Sequence, residues 1–386
     1  MNCREAPGYD GQGTGFERPM RVFVHLAHGF GAREWQKRWS EGKVFGINEP
    51  LPYGYFRANK LGCVVEYSED KSETILVTLF RLGVRAIFGF DLIHAWRNFD
   101  SIRKANVVWT HTESQYLAIL LLFQMIPRDR RPKMIAQTVW LFDRWKKFNR
   151  LKRWFFSLLI EQADILTVHS PENLQAAREL FPQVRSKLVL FGISVDQKQK
   201  PQLRPSRRPI RLISLGNDEH RDWNLLIQAI GGCDQWLLKI ASAKVDLGAI
   251  GKATNVEVVK LRSNQELMQL YDWADFLVLT LKPNLHASGI TVIQEAALRG
   301  VPTICSDVGG LNAYFSNQEV RFFSTQDATE LQRVIHQFAQ DHEERFLMAE
   351  RAQARMAPDD LSSQAYVRQH VEISRELLLE QRCTSG

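Results

Sequence analysis

The chain has 386 residues, 45% of them hydrophobic and 24% charged, which is enough for two domains of ordinary size, each with its own core. Basic residues crowd the first half: residues 1–200 hold 30 Lys and Arg against 20 Asp and Glu, leaving 20 against 23 for residues 201–386. The first half is therefore expected to face an anionic membrane leaflet rather than nucleic acid, since no zinc finger, homeodomain arm or RRM aromatic pair is present.

Five scattered cysteines without a C-x-x-C pair argue against disulfides and thiolate metal sites. The longest apolar runs, such as LAILLLF at 117–123, fall far short of the roughly 20 residues that span a bilayer. The expectation is a soluble, cytoplasmic protein, able to sit peripherally on the inner face of a membrane.

Residues 1–19, rich in Gly and Pro with no apolar run, read as a disordered tail without a secretory signal. MRVFVHLA at 20–27 predicts a buried first strand running into the loop HGFG, where Gly29 and Gly31 would let a ligand approach the backbone closely. The spacing is not G-x-G-x-x-G, so a nicotinamide site is not expected. Past an irregular aromatic stretch at 33–56, apolar segments alternate with helical patterns: CVVEYS, the region around 74–88, FDLIHAW, ANVVWTHT, KMIAQTVW, ADILTVHS and KLVLFGIS. That alternation predicts a parallel α/β domain.

ANVVWTHTESQYLAILLL at 105–122 predicts a strand ending at His111, Thr112 and Glu113, then a helix. Glu113 suits the first helical turn as a charge near the helix dipole, and is also a candidate acceptor contact. The run WLFDRWKKFNRLKRWFFSLLIEQAD at 140–164 interleaves Arg144, Lys146, Lys147, Arg150, Lys152 and Arg153 with Trp145, Phe148, Leu151, Trp154 and Phe155. Its apolar spacing of three and four predicts an amphipathic helix, with its basic face either solvated or laid on anionic lipid. Trp35, Lys37, Arg38 and Trp39 would extend that surface.

KQKPQLRPSRRP at 198–209 has the composition of a linker. Beyond it the α/β pattern restarts with IRLISLGN, LLKIAS, VEVVKL, ADFLVLT and VPTICS, and residues 327–382 read as helical throughout. The organisation expected is a domain at 20–197, a linker at 198–207, a second domain at 208–365, and a crossover helix and tail at 366–386.

The most informative stretch is LHASGITVIQEAALRGVPTICSD, Leu285 to Asp307. Ser288 and Gly289 open a helix there, leaving the amides of Gly289, Ile290 and Thr291 and the positive dipole end available to a phosphate. Glu295 follows about 9 Å further along the axis, a span suited to a diphosphate and the ribose joined to it. IRLISLGNDEHRDWNLLIQAI brings Gly216, Asn217 and Arg221 to a strand-to-helix turn. Arg221 could reach the same mouth of the sheet, or be a loop residue paired with Asp222.

HASGITVIQEAALRGVPTICSDVGG resembles the donor-site signature of the GT-B retaining glycosyltransferases, glycosyltransferase group 1 (family 4), written Glu-x7-Glu, then Gly-x-Pro, a strand and Gly-Gly. The second glutamate falls on Glu295; the first falls on Ala287, flanked by His286 and Ser288. The resemblance implies two Rossmann-like domains whose parallel sheets face each other across a cleft, with a nucleotide diphosphate sugar as donor. It also implies retained anomeric configuration and a glycan or lipid-linked acceptor. It implies that Gly216 and Arg221 hold the donor diphosphate, with Asn217 where a second cation is often found, and that His111 lines the cleft beside the donor sugar. Two alternatives stay open: an inactive nucleotide-sugar-binding protein and a nucleotide-sugar epimerase. No nucleophile elbow, Walker A, H-E-x-x-H or Asp-x-Asp occurs, so neither a metal nor a cofactor beyond the donor is expected.

Overall fold

The structure, a computed structural model, describes residues 19–203, 208–324 and 326–385. Most of the expected disordered tail, and residues 204–207 of the expected linker, lie outside them. Two six-stranded, all-parallel sheets form two lobes. The first contains β1 (Met20–His25), β2 (Cys63–Tyr67), β3 (Val107–Thr110), β4 (Lys133–Thr138), β5 (Ile165–Val168) and β6 (Ser186–Leu188), in the order β2-β1-β3-β4-β5-β6. The second contains β7 (Ile210–Leu215), β8 (Trp236–Ala241), β9 (Val256–Val258), β10 (Phe276–Leu279), β11 (Thr303–Ser306) and β12 (Arg321–Phe323), in the order β12-β11-β10-β7-β8-β9. Such sheets have both faces covered, so their central strands are buried along their whole length, as β3, β5, β10 and β11 are here.

Helices α1 (Ala32–Ser40), α2 (Ile75–Phe88), α3 (Leu92–Arg97), α4 (Phe99–Ile102), α5 (Glu113–Phe123), α6 (Leu141–Trp145), α7 (Arg150–Ile160) and α8 (Pro171–Leu180) belong to the first lobe. Helices α9 (Trp223–Ile230), α10 (Leu247–Ile250), α11 (Asn264–Trp273), α12 (Ile290–Leu298), α13 (Ala328–Gln340) and α14 (His342–Arg355) belong to the second. The region around 74–88 and FDLIHAW, both apolar, are the helices α2 and α3.

The helical run expected over 327–382 is broken between Arg355 and Ser363, where the chain leaves the second lobe. Its last helix, α15 (Ser363–Ser385), returns to the first lobe. There Tyr366, Val367, Val371 and Leu377 join the core of β1 and β3, and Ser374 Oγ accepts from the buried Trp109 Nε1 at 2.8 Å. The expected helix over 140–164 is likewise two helices, because Asn149 caps a new one through Lys152 N at 2.8 Å.

The order of both sheets reverses beside the first strand of each, between β1 and β3 and between β7 and β10. Ligands bind at such switch points, beyond the carboxyl ends of the strands. Loops from those ends meet between the lobes: Leu285 N donates to Asp143 Oδ1 at 2.8 Å, and Ser170 Oγ donates to Leu285 O.

The crossing of the chain between lobes is tight. A Cβ at Gly192 would run into the backbone of Ser362, whereas one at Gly83, inside α2, meets nothing within 4 Å. Gly192→Ala is expected to lower unfolding stability by about 1–3 kcal/mol, and Gly83→Ala to raise it by up to about 1 kcal/mol, both read by denaturant unfolding.

Candidate active site

The start of α12 is built by two residues in the left-handed region. Gly289 has φ 90°, and Ala287, at the position of the first motif glutamate, has φ 54° and is 1% exposed. Only a small side chain fits there, since Ala287 packs into the apolar cluster with Leu279, Leu281 and Ile293. Asn284 Oδ1 accepts from Ser288 N at 3.1 Å and fixes the turn. Of the three amides expected to face a phosphate, that of Ile290 is bonded to Ala287 O at 3.1 Å. Those of Gly289 and Thr291 have no acceptor among the described residues.

Arg221 lies against this helix end, 6% exposed. Its Nε donates to Leu215 O at 2.8 Å and its Nη1 to Ser288 Oγ at 3.0 Å. Gly216, with φ 121°, leaves the space its guanidinium fills. Asp222 does not pair with it, because that carboxylate caps α9 through Leu225 N at 3.1 Å. Among the described residues no carboxylate lies within 4 Å of the guanidinium, and burial holds its pKa below the usual arginine value. A buried cation with no carboxylate in contact, its charge met only at longer range by Asp218, is suited to an anion beside open amides at a positive helix end.

Glu295 is 6% exposed and faces the first lobe. Tyr271 Oη donates to Oε2 at 2.8 Å, and Ile47 N, from the other lobe, donates to Oε1 at 3.2 Å. Burial raises its pKa to about 7, against those two hydrogen bonds. The loop before Ile47 is fitted to the same place. Gly46, at φ 96°, donates its amide to Asn264 Oδ1 at 2.8 Å, and any Cβ on it would collide with Glu295 Oε1. Trp35 and Trp39 hold this loop through bonds of 3.0 Å from their indole N–H groups to Glu49 O and Asn48 O. Trp35 is buried and does not extend a membrane surface.

The remaining expected site residues sit at the mouth of the cleft with their polar groups largely engaged. The amides of Gly29 and Gly31 donate to the Asp70 carboxylate at 3.0 and 2.8 Å, so they hold their own loop. Asn217 Oδ1 accepts from Ala243 N at 2.7 Å and Ser242 Oγ at 3.1 Å, which ties the β7 and β8 loops together and leaves no carbonyl oxygen to spare.

Half-buried His111 stacks on Tyr53 with ring centroids 3.5 Å apart, and its Nδ1 lies 3.1 Å from Tyr55 Oη. Burial, then the neighbouring His169 and His370, keep its pKa well below the usual histidine value. The ring is neutral at pH 7. With Tyr55 as donor to Nδ1, Nε2–H is left to donate. Glu113 accepts from the amides of Val139 and Trp140 at 3.2 and 3.3 Å, pinning the turn after β4.

Sequence reasoning placed His286 beside the missing glutamate but found neither of its partners. Its Nδ1 is 2.7 Å from Asp143 Oδ2 of the first lobe, and its Nε2 is 3.2 Å from Asp218 Oδ2. Burial opposes its charge, yet the two carboxylates raise its pKa to about 9. His220 lies 3.0 Å from the other Asp218 oxygen, so Asp218, His220 and His286 offer ligand atoms within 4.8 Å of one another. In this arrangement a proton on His286 balances the carboxylates of Asp143 and Asp218. No local sequence signal marks Asp143 or Tyr271 as partners of this site.

Both clamps between the lobes have the same pH sign. Burial of Glu295 carries no charge penalty below its free value of 4.5 and a full one above about 7. The His286 contribution is whole below 6.5 and is lost as pH rises through about 9. The lobes are therefore expected to separate as pH climbs from 4.5 to about 9, seen as a larger radius of gyration in solution scattering. His286→Asn should flatten the upper half of that curve.

Comparison with known proteins bears on the fold and on the second lobe. Residues 227–371 match the family model described as glycosyl transferase-like. The whole fold resembles sucrose-phosphate synthase from Thermosynechococcus elongatus, with a TM-score of 0.69 at 14% identity, over 94% of this chain and 100% of that one. It also resembles Anabaena HepE, solved with UDP-glucose, with a TM-score of 0.64 at 14% identity over 92% and 99%. A Rickettsia africae glycosyltransferase gives 0.58 at 13% identity over 94% and 99%. No relative is found among curated protein sequences. The second lobe thus matches a glycosyl transferase-like family, and the chain as a whole shares the two-lobed GT-B fold of these structures along almost its whole length.

Proposed function

We propose that the protein moves a sugar from a nucleotide diphosphate sugar to an acceptor hydroxyl, with the anomeric configuration retained, in polysaccharide or lipid-linked glycan synthesis. The observation that carries this is Arg221: buried, free of any carboxylate among the described residues, and set against the open amides of Gly289 and Thr291. A diphosphate supplies the missing negative charge. As the glycosidic C–O bond breaks, its electron pair passes to the diphosphate, so these donors hold the transition state more tightly than the ground state.

Glu295, about 9 Å along the helix from Gly289, accepts the ribose hydroxyls once Ile47 gives up its bond to the carboxylate. His111 Nε2–H donates to a hydroxyl of the transferred sugar. The acceptor oxygen attacks the anomeric carbon on the face the leaving group vacates, and a diphosphate oxygen takes its proton. The donor bound in the HepE structure supports uridine diphosphate sugars as the first class to try. The basic first half supports an acceptor presented at an anionic inner leaflet, with residues 140–164 near it.

Arg221→Ala is expected to lower turnover by about 10²–10³-fold, and Glu295→Ala to weaken donor affinity about tenfold or more. Both are read by sugar transfer from a panel of nucleotide sugars. Full transfer by both variants would remove the site assignment. A wild-type protein that binds donor but neither hydrolyses nor transfers it would be an inert binder, and one that alters the nucleotide sugar with no acceptor present would be an epimerase.

A further inference from the structure

Helix α2 is built inside out. Its one buried residue is Arg81, at 6% exposure, held by Glu73 at 3.0 Å and Asp91 at 2.6 Å. Ile75, Leu76 and Ile87 are 79%, 78% and 80% exposed, and Leu79 and Phe80 are 61% and 63% exposed. A buried ion network thus fastens the helix to the lobe and turns its apolar residues to the outside, the reverse of a helix on a water-soluble surface. Its 14 residues are too few to cross a bilayer. At its end Phe88 meets Phe155 of α7, with ring centroids 6.2 Å apart, and α7 itself exposes Leu151, Trp154 and Leu158.

Between α2, α5, α6 and α7 lies a pocket of about 310 Å³. Arg85, Arg144 and Lys152 line it, over a floor that includes Leu117, Phe148 and Phe156. Lys152 Nζ lies 4.6 Å from the Phe148 ring centroid, and among the described residues neither it nor Arg85 has a carboxylate within 4 Å. Arg144 is 3.6 Å from Glu219 of the second lobe. The pocket's own carboxylate, Glu113, is taken up by the Val139 and Trp140 amides. Trp140 also lines the pocket, and its ring lies 6.2 Å from that of His286, beside the start of α12. The pocket is thus lined by Trp140, beside the start of α12, and by Arg85 of the exposed apolar helix.

We propose that α2 and the Leu151–Trp154–Leu158 edge of α7 insert into an anionic membrane leaflet, and that the adjoining pocket holds the phosphate headgroup of a lipid-borne acceptor through Arg85, Lys152 and Arg144. Apolar side chains seated among lipid tails with cations at the phosphate level are the two features that hold an interfacial helix on a bilayer. The proposal deepens the glycosyltransferase reading by naming the acceptor class. It accounts for the exposed apolar face of α2 and for Arg85 and Lys152, which among the described residues have no carboxylate beside them.

The test is co-sedimentation of the full chain with vesicles of phosphatidylcholine, with or without phosphatidic acid as the lipid phosphomonoester, in the presence or absence of inorganic phosphate. Wild type is expected to bind the phosphatidic acid vesicles at least about tenfold more tightly than phosphatidylcholine alone, with little relief by free phosphate. The exposed-face pair Leu79→Glu with Phe80→Glu should lose binding to both. Arg85→Gln with Lys152→Gln should lose only the phosphatidic acid gain, and all should keep the wild-type melting temperature.

Equal binding to the two vesicle types, or an unchanged gain in the charge variant, overturns the headgroup site. Absence of vesicle binding overturns the whole proposal, as does a dimer in solution that Phe80→Glu dissociates and vesicles do not. Nucleoside diphosphate binding, titrated in the same preparations, separates the two readings: if it is absent while vesicle binding holds, the donor assignment fails and the membrane face stands.

Discussion

A guanidinium buried at the positive end of a helix, with a hydroxyl and a carbonyl but no carboxylate for company, is electrostatically unfinished. Arg221 is in that position, and much of the second lobe is shaped to keep it there. Gly216 and Gly289 leave room for it, the β-bridge between Arg221 and Leu281 pins its backbone, and the would-be partner Asp222 is committed to capping α9. Desolvating a cation costs several kcal/mol when nothing offsets it. On the proposed function, a diphosphate arriving between Arg221 and the α12 amides would offset it, and because that group gains charge as the sugar leaves, the same arrangement would serve the chemistry as well as the binding.

Closure of the lobes follows from a second set of charges. Asp143 reaches across to His286 and to the Leu285 amide, and Glu295 accepts from Ile47 across the same gap. The acid proposed for the ribose is thus already satisfied by the backbone of the first lobe. Gly46 and Ile47 lie directly against Oε1, so on the proposed function the nucleotide and this loop compete for that side of the carboxylate, and the lobes open before the donor binds. The exposed face of α2 lies on the first lobe, away from these contacts, so the proposed membrane attachment would not depend on the donor lobe's position.

Much of the fold was legible because parallel strands buried on both faces read as continuous apolar runs, and because the α12 region carries its turn, helix and strand in one short stretch. That Ser288 and Gly289 open a helix carrying Thr291 and Glu295 was readable for the same reason. The rest failed where a partner lies far off in the chain. Gly29 and Gly31 gave no hint that Asp70 would take their amides, and Glu295 and Ile47 are 248 positions apart. Helix α2 failed differently. Its apolar pattern reads like core, and nothing local shows that Arg81 rather than its leucines faces inward.

The most direct measurement is the affinity of the wild-type protein for uridine diphosphate compared with uridine, by calorimetry at constant ionic strength. If the diphosphate is held by Arg221 and the helix amides, the diphosphate form should bind about a hundredfold more tightly or better, equivalent to about 2.7 kcal/mol, with most of that gap lost in Arg221→Ala. Equal affinities for the two, or a gap that survives the substitution, would contradict the account.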